Sequence, residues 1–173
     1  MTSSNLATFF MDPHQAGDML YLHPETLHRR MREKPHSLPP YFSLGRKRLF
    51  FRQLTADWLN GDLNRDTDSG KKIQLNISSL KTSLDISDFA SLLHFSPSTI
   101  YSMRSRPTST SLPPCRDDIW VTRAVFDWIL PQVQGIAPDS IAFASPEIPK
   151  VPTGVLLFHT PQMQSRSDGG RGR

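Results

Sequence analysis

Two groups of basic side chains in the first third of the chain have the residue types that bind phosphate groups. They are His28-Arg29-Arg30 with Arg32, and Arg46-Lys47-Arg48. Lys and Arg neutralise the phosphates of nucleic acids, and an Arg guanidinium can also hold a guanine edge through two parallel hydrogen bonds. The alternative for any charge run is a solvated surface. Which interpretation applies depends on the elements that present these side chains.

The first basic group is predicted to lie on the second of two short helices. Asp12 is suited to cap the first helix, with Gln15 placed to complete a capping box. Pro24 marks the start of the second helix, and Leu27 and Met31 share its apolar face because they are four residues apart. The remaining positions of this helix are the candidate contact residues: Glu25, Thr26, His28, Arg29, Arg30 and Arg32.

The second basic group is predicted to form the tip of a β-hairpin. Apolar and aromatic runs at 41–44 and 49–51 flank Gly45, which is a hairpin signal. Three consecutive cations at a hairpin tip suit a phosphate backbone better than a hydrophobic core. Arg46, Lys47 and Arg48 are therefore candidate contact residues.

The chain also contains an internal repeat. Residues 85–100 align without gaps on residues 12–27, and Leu112-Pro113-Pro114 corresponds to Leu38-Pro39-Pro40. The second copy of the exposed helix offers a weaker set of candidates: Ser98, Thr99, Tyr101, Ser102, Arg104, Ser105 and Arg106.

The hairpin of the second copy differs in charge from that of the first. It is about four residues shorter and carries Asp117-Asp118 at the place of the basic tip. Carboxylates at that tip would repel phosphate. We therefore expect the first copy to bind nucleic acid more strongly, and the second to bind weakly or to serve in packing or dimerisation.

The first copy resembles a known family over about fifty residues. The resemblance is carried by Leu20-x-Leu22-x-Pro24-x-Thr26-Leu27, Leu38-Pro39-Pro40, Leu44-Gly45-Arg46-Lys47-Arg48-Leu49-Phe50 and Leu54-x-x-x-Trp58-Leu59. This pattern is similar to the excisionase-type winged helix-turn-helix family, distant relatives of the MerR-type regulators. The chain departs from it at His23, where a Ser or Thr cap is common, and in having Met31 rather than an aromatic residue. The resemblance implies a small DNA-binding protein of a bacterium, phage or mobile element.

Together these features predict a mainly α fold with small β-hairpin wings, made of tandem winged helix-turn-helix units. We expect a first unit with a basic wing at 9–60, a linker with a short strand at 61–82, a second unit with a shortened acidic wing at 83–131, and a Pro-rich, largely disordered basic tail at 132–173.

Composition limits the class of protein further. The net charge of +4 favours an anionic partner, and the single Cys115 excludes an internal disulfide and a Cys-based zinc site. No apolar run approaches the length of about 18 residues that spans a bilayer. The histidines are scattered, and no catalytic or phosphate-loop motif occurs. We therefore expect a cytoplasmic protein that is not an enzyme, with no catalytic residue, metal, cofactor or membrane contact.

The expected partner is double-stranded DNA, bound in a sequence-specific way by a transcription regulator or a recombination directionality factor. An integrase or RNA polymerase is a candidate protein partner, and self-association through the second unit is a further expectation. Two alternatives stay open: an interaction or oligomerisation adaptor, which the acidic second wing favours, and a plasmid replication or partition factor.

Overall fold

Short helices and short strands follow one another in the computed structural model of the protein, which describes residues 6–63, 72–106 and 112–144. The α-helices described are α1 (Leu6–Phe9), α2 (Pro13–Leu20), α3 (Pro24–Glu33), α4 (Arg52–Leu59), α5 (Ile86–Leu92), α6 (Pro97–Ser105) and α7 (Thr122–Ile129). The strands described are β1 (Phe10–Met11), β2 (Tyr41–Leu44), β3 (Lys47–Phe51), β4 (Ile73–Asn76), β5 (Ser83–Leu84), β6 (Trp120–Val121), β7 (Val133–Gln134) and β8 (Ile141–Ala144). The described part of the chain is thus a mixed fold of helices and small sheets, with more residues in helices than in strands.

The first helix pair, α2 and α3, begins where the sequence predicts. Asp12 Oδ1 accepts the Gln15 N–H at 2.9 Å, and Gln15 Oε1 accepts the Asp12 N–H at 3.1 Å, so the expected capping box is confirmed. Helix α2 ends at Leu20 and is followed by Tyr21, whose φ of 53° is left-handed. His23 caps α3, because its Nδ1 accepts the Glu25 N–H at 3.4 Å. The cap that departs from the family pattern therefore still functions as a cap.

A four-stranded antiparallel sheet in the order β1-β3-β2-β7 packs against the helix pair. Because side chains alternate between the two faces of a strand, β1, β2 and β3 each contribute to two separate clusters. On one face, Tyr41 and Phe50 pack with Leu27 and Met31 of α3. The other face packs against the second copy of the repeat. Its side chains are Phe10, Phe42, Leu44, Leu49 and Phe51, all buried.

The second copy repeats the element order of the first. Strand β5 pairs with β6 in the register in which β1 pairs with β3, so that Trp120 opposite Leu84 corresponds to Phe50 opposite Met11. Asp85 caps α5, as its equivalent Asp12 caps α2, by accepting the Asp88 N–H at 2.8 Å. A tight turn closed by the Arg116–Ile119 bridge replaces the longer hairpin of the first copy. The two aligned segments therefore share their local structure, apart from the hairpin.

The two copies also share one hydrophobic core. The cluster that contains Phe42 and Phe51 of the first copy also contains Phe89, Trp120 and Phe126 of the second. Trp120 stacks on Phe89 with ring centroids 4.4 Å apart. The second copy thus shares the core on this face of the first sheet, although the expected boundaries place a linker between the two units.

The ends of the expected linker and tail also belong to this fold. Strand β4 pairs in parallel with β8, and β7 pairs with β2 at the edge of the four-stranded sheet. Residues 133–144 therefore form ordered strands and turns, which differs from the expected disordered tail beginning at 132. The apolar side of β4, with Ile73 and Leu75 buried, supplies the burial that stabilises this pairing. Residues 64–71 of the expected linker and 145–173 of the expected tail lie outside the described residues.

None of the described helices has both the length and the apolar character needed to cross a bilayer.

Candidate nucleic-acid interface

Helix α3 presents the first group of cations on its outer surface. Leu27 and Met31 are buried against the sheet, so the helix is fixed by one face only. Five of the predicted contact residues are exposed on the remaining surface and one, Thr26, is half-buried; the exposed ones are Glu25, His28, Arg29, Arg30 and Arg32. Glu25 in the first turn and Arg30 and Arg32 in the last turn also complement the helix dipole.

The arginines of α3 differ in how they are paired. Arg32 Nη2 lies 3.6 Å from Glu33 Oε1, a weak pair because both side chains are more than half exposed. Neither Arg29 nor Arg30 forms an ion pair with any residue that the structure describes. Of the six predicted positions, these two guanidinium groups have the greatest freedom to contact an anionic partner.

The three cations of the first hairpin point in different directions. Gly45 and Arg46 form the two-residue turn between β2 and β3, with Gly45 at φ 61° and the Arg46 side chain exposed. Lys47 and Arg48 are consecutive strand residues, so they lie on opposite faces of the sheet. The expected contiguous basic tip is therefore divided by strand geometry.

Lys47 is directed toward the second copy. Its ammonium donates a hydrogen bond to the carbonyl oxygen of His94, in the turn between α5 and α6, and lies 4.4 Å from the ring centroid of Phe95. Burial lowers the pKa of Lys47, an effect that the negative charge of Asp12 opposes. Lys47 is therefore not available to bind DNA in the way that the other predicted contact residues are, because its ammonium group already binds His94 and Phe95 within the protein.

Arg48 lies on the face of the sheet that carries α3. It shares that face with Phe50 and lies opposite Ser43 on β2. Burial raises the pKa of the Tyr41 phenol, and the positive charge of Arg48 lowers this pKa by a smaller amount. Arg48 therefore lies on the sheet face against which α3 packs, with Arg46 at the tip between the two faces.

The second copy offers fewer free cations. Ser98, Tyr101, Ser102 and Ser105 are exposed on α6, while Thr99 is half-buried and its N–H is capped by Ser96 Oγ at 3.2 Å. Arg104 forms an ion pair with Asp118 of the shortened hairpin. Arg106 is exposed at the end of α6. The acidic turn of the second copy thus neutralises the one cation within α6.

Two features of this region were not predicted from the sequence. The Tyr41 hydroxyl lies 2.9 Å from Gln134 Oε1 and 3.2 Å from the Met31 carbonyl oxygen, so it can donate to either and joins α3 to β7. The second is the docking of Lys47 on the turn at His94. The alternation of side chains along a strand predicts that Lys47 and Arg48 lie on opposite faces. The hydrogen bond from Lys47 to the His94 carbonyl, 47 residues away, is a tertiary contact that no local sequence pattern indicates.

Comparisons of the chain with protein-family models, with curated proteins and with solved structures find no match. Among the described residues, no three His, Cys, Asp or Glu side chains come together in a group that could hold a metal ion.

Proposed function

We propose that this protein binds double-stranded DNA through two winged helix-turn-helix units, the first of which makes the main contacts. Helix α3 would enter a major groove with Arg29 and Arg32, while Arg46 and Arg48 contact the adjacent sugar-phosphate backbone. The observation that carries the proposal is that Arg48 lies on the sheet face that packs against α3, with Arg29 exposed on that helix and Arg46 exposed at the tip.

The role of such a protein would be regulatory or architectural. The resemblance of the first copy to the excisionase-type family favours a transcription regulator or a recombination directionality factor of a bacterium, phage or mobile element. A cytoplasmic location and an integrase or RNA polymerase partner belong to the same proposal. A plasmid replication or partition factor would make the same DNA contacts.

The proposal is tested by measuring binding to duplex DNA at several salt concentrations. In the double variant Arg29→Ala/Arg46→Ala, we expect an affinity loss of about tenfold or more at low salt. The slope of log affinity against log salt should become shallower by roughly 0.9 for each phosphate contact removed. Arg116→Ala is the matched control, because Arg116 is an exposed arginine whose neighbour Asp117 on the acidic second hairpin opposes a phosphate contact. Its affinity and slope should equal those of the unsubstituted protein.

The outcome that would reject these contacts is equal binding by the double variant and by Arg116→Ala. Recovery of bound fragments from a genomic pool would then define the sequence that the unsubstituted protein prefers. A common motif supports sequence-specific recognition, whereas random fragments indicate backbone contacts alone.

An interaction adaptor is the second candidate function, and the second hairpin favours it. Asp117 is exposed at the tip, and Asp118 neutralises the charge of Arg104 on α6 through an ion pair. A surface of this kind fits a protein partner better than a phosphate backbone. The absence of binding to any duplex at low salt would favour the adaptor over the DNA-binding protein.

A further inference from the structure

The two copies differ in what covers the outer face of their hairpin strand, meaning the face turned away from the helix pair of the same copy. In the first copy, Leu49 and Phe51 lie on this face and are fully buried in the hydrophobic cluster that the two copies share. The shared strand register makes Ile119 and Val121 their counterparts in the second copy. Ile119 is 50% exposed and Val121 is 54% exposed. No described residue covers this apolar strand face as the second copy covers the first.

The turn between the two helices of each copy differs in a complementary way. In the second copy the turn residue His94, at φ 55°, receives the first hairpin through its contact with Lys47. Its counterpart in the first copy is Tyr21, at φ 53°, whose side chain is 96% exposed. A left-handed backbone is unfavourable for a bulky residue that gains no packing in return. The first copy thus presents an uncovered aromatic residue at the position where the second copy is covered.

We infer that a second copy of this chain covers these surfaces, with the Tyr21 turn of one molecule docked on the Ile119–Val121 face of the next. The chain already makes the equivalent contact once within itself, between the outer face of its first hairpin strand and the second helix pair. Both halves of that contact occur again, unoccupied by described residues, at Tyr21 and at the second hairpin strand. A repeat that stacks on its neighbour needs a polar cap at each end, whereas these ends expose Tyr21 and the pair Ile119 and Val121.

The contact joins two unlike surfaces, one on each copy, so each molecule can bind one neighbour through its Tyr21 turn and another through its strand face, and the assembly grows beyond a pair. Asp117, exposed at the second hairpin tip, provides a carboxylate that can accept a hydrogen bond from the Tyr21 hydroxyl. The longer Tyr21 side chain also suits the shorter second hairpin, which reaches less far than the first. The apolar area at each end is small, so the association is weak and depends on concentration.

Sedimentation of the 173-residue chain without DNA tests the inference, over concentrations from about 10 µM to about 1 mM. The average mass should rise steadily above the chain mass of 19.6 kDa and pass that of a dimer. Tyr21→Asn preserves the turn, because Asn tolerates a left-handed backbone, and Ile119→Thr/Val121→Thr keeps β-branched residues in the strand. Each of these variants should stay at the chain mass. Leu59→Gln, at an exposed leucine elsewhere, should associate like the unsubstituted protein.

Mixing the two variants gives the decisive measurement. The Tyr21→Asn protein keeps its strand face and the double Thr protein keeps its Tyr21 turn, so an equimolar mixture should form pairs of twice the chain mass and nothing larger. The inference is overturned if the unsubstituted protein stays monomeric or stops at a dimer, if the mixture stays monomeric, or if Leu59→Gln also abolishes association. Because the assay contains no DNA, its result is independent of the proposed DNA binding.

Discussion

Tyr41 is a single residue on which the position of α3 depends. Its phenol is buried beneath that helix and contacts both the Met31 carbonyl and Gln134. Tyr41→Phe keeps the ring but leaves the two acceptors without this donor, so we expect the free energy of unfolding to fall by about 1–2 kcal/mol. Tyr21→Phe is the control, since the Tyr21 ring is exposed, and it should leave stability unchanged. Urea unfolding of the three proteins at pH 8 measures the difference.

The same phenol predicts a loss of stability at alkaline pH. Burial raises the pKa of Tyr41 above its ordinary value of 10.0, so the unfolded chain loses this proton before the folded protein does. The contribution of the protonated Tyr41 phenol to the free energy of unfolding is therefore complete below about pH 10, and it is lost as pH rises through the raised pKa. The urea midpoint of the unsubstituted protein should fall more steeply above pH 10 than that of Tyr41→Phe. Parallel curves for the two proteins would contradict this assignment.

Asp88 illustrates a charge held at the start of a helix. Its carboxylate is nearly buried in the first turn of α5, and Lys81 Nζ lies 2.7 Å from Oδ2. This hydrogen bond raises the pKa of Lys81 above 10.5, so the stabilisation is present below that pH and is lost as pH rises further. Asp88→Ala should lower the urea midpoint at neutral pH, and the difference from the unsubstituted protein should narrow above about pH 10.5.

The control for Asp88→Ala is Asp127→Ala, which removes another ion pair with a different degree of burial. Asp127 lies 3.1 Å from Arg123 one helical turn away, and both side chains are more than half exposed. Its loss should change the free energy of unfolding by less than about 0.5 kcal/mol. Equal midpoints for the two variants would show that the burial of Asp88 has no effect on the strength of its pair.

At the scale of the element, the adjacent cations Lys47 and Arg48 of strand β3 have different roles, because they lie on opposite faces of the sheet. Lys47→Met removes the hydrogen bond to His94 and the contact with Phe95, so we expect the free energy of unfolding to fall by about 1–2 kcal/mol. Arg48→Met should change stability little, but weaken DNA binding and reduce the salt slope by roughly 0.9. Thermal unfolding and DNA titration of both variants separate the two effects. A Lys47→Met protein with full stability and weakened DNA binding would instead show that the hairpin leaves the second copy on DNA.

The elements that the sequence predicted well are those that local signals define. The start of α2 follows from Asp12 and Gln15, and the first hairpin turn follows from Gly45, because each signal acts over a few residues. The roles of Tyr41 and Trp120 are more difficult to predict from the sequence. Their roles depend on neighbours distant in the chain, and the strands that contain them are too short for alternation to identify a buried face.

At the scale of the molecule, the association of the two copies could not be read from either copy alone. The sequence repeat predicted similar local structure, but similarity does not indicate whether two copies stand apart or share a core. The partner of strand β4 could not be predicted either, because β8 lies in a segment whose Pro-rich composition predicted disorder. For the candidate site, the sequence identified the exposed arginines of α3, whereas the orientation of Lys47 depended on the contact between the copies.

This shared core predicts that neither copy folds alone. A fragment of residues 1–63 would lack the second-copy members of the cluster that contains Phe42, Leu44, Leu49 and Phe51, so these four side chains would become more exposed. Burial of four such side chains contributes about 6–12 kcal/mol, which is comparable with the whole stability of a domain, about 5–15 kcal/mol. The full chain should therefore unfold in one transition by both circular dichroism and tryptophan fluorescence. The fragment should show no cooperative transition of its own.

Fragment complementation provides the matching control. Addition of a fragment of residues 72–144 supplies the missing partner surface, including Phe89, Trp120 and Phe126, so mixing the two fragments should restore a cooperative transition. The midpoint should rise with concentration, because folding is then coupled to association. If residues 1–63 unfold cooperatively without the second fragment, the small cluster around Tyr41 and Phe50 is sufficient for stability. The two copies would then be independent domains that only touch, and Lys47 would join them without being required for either.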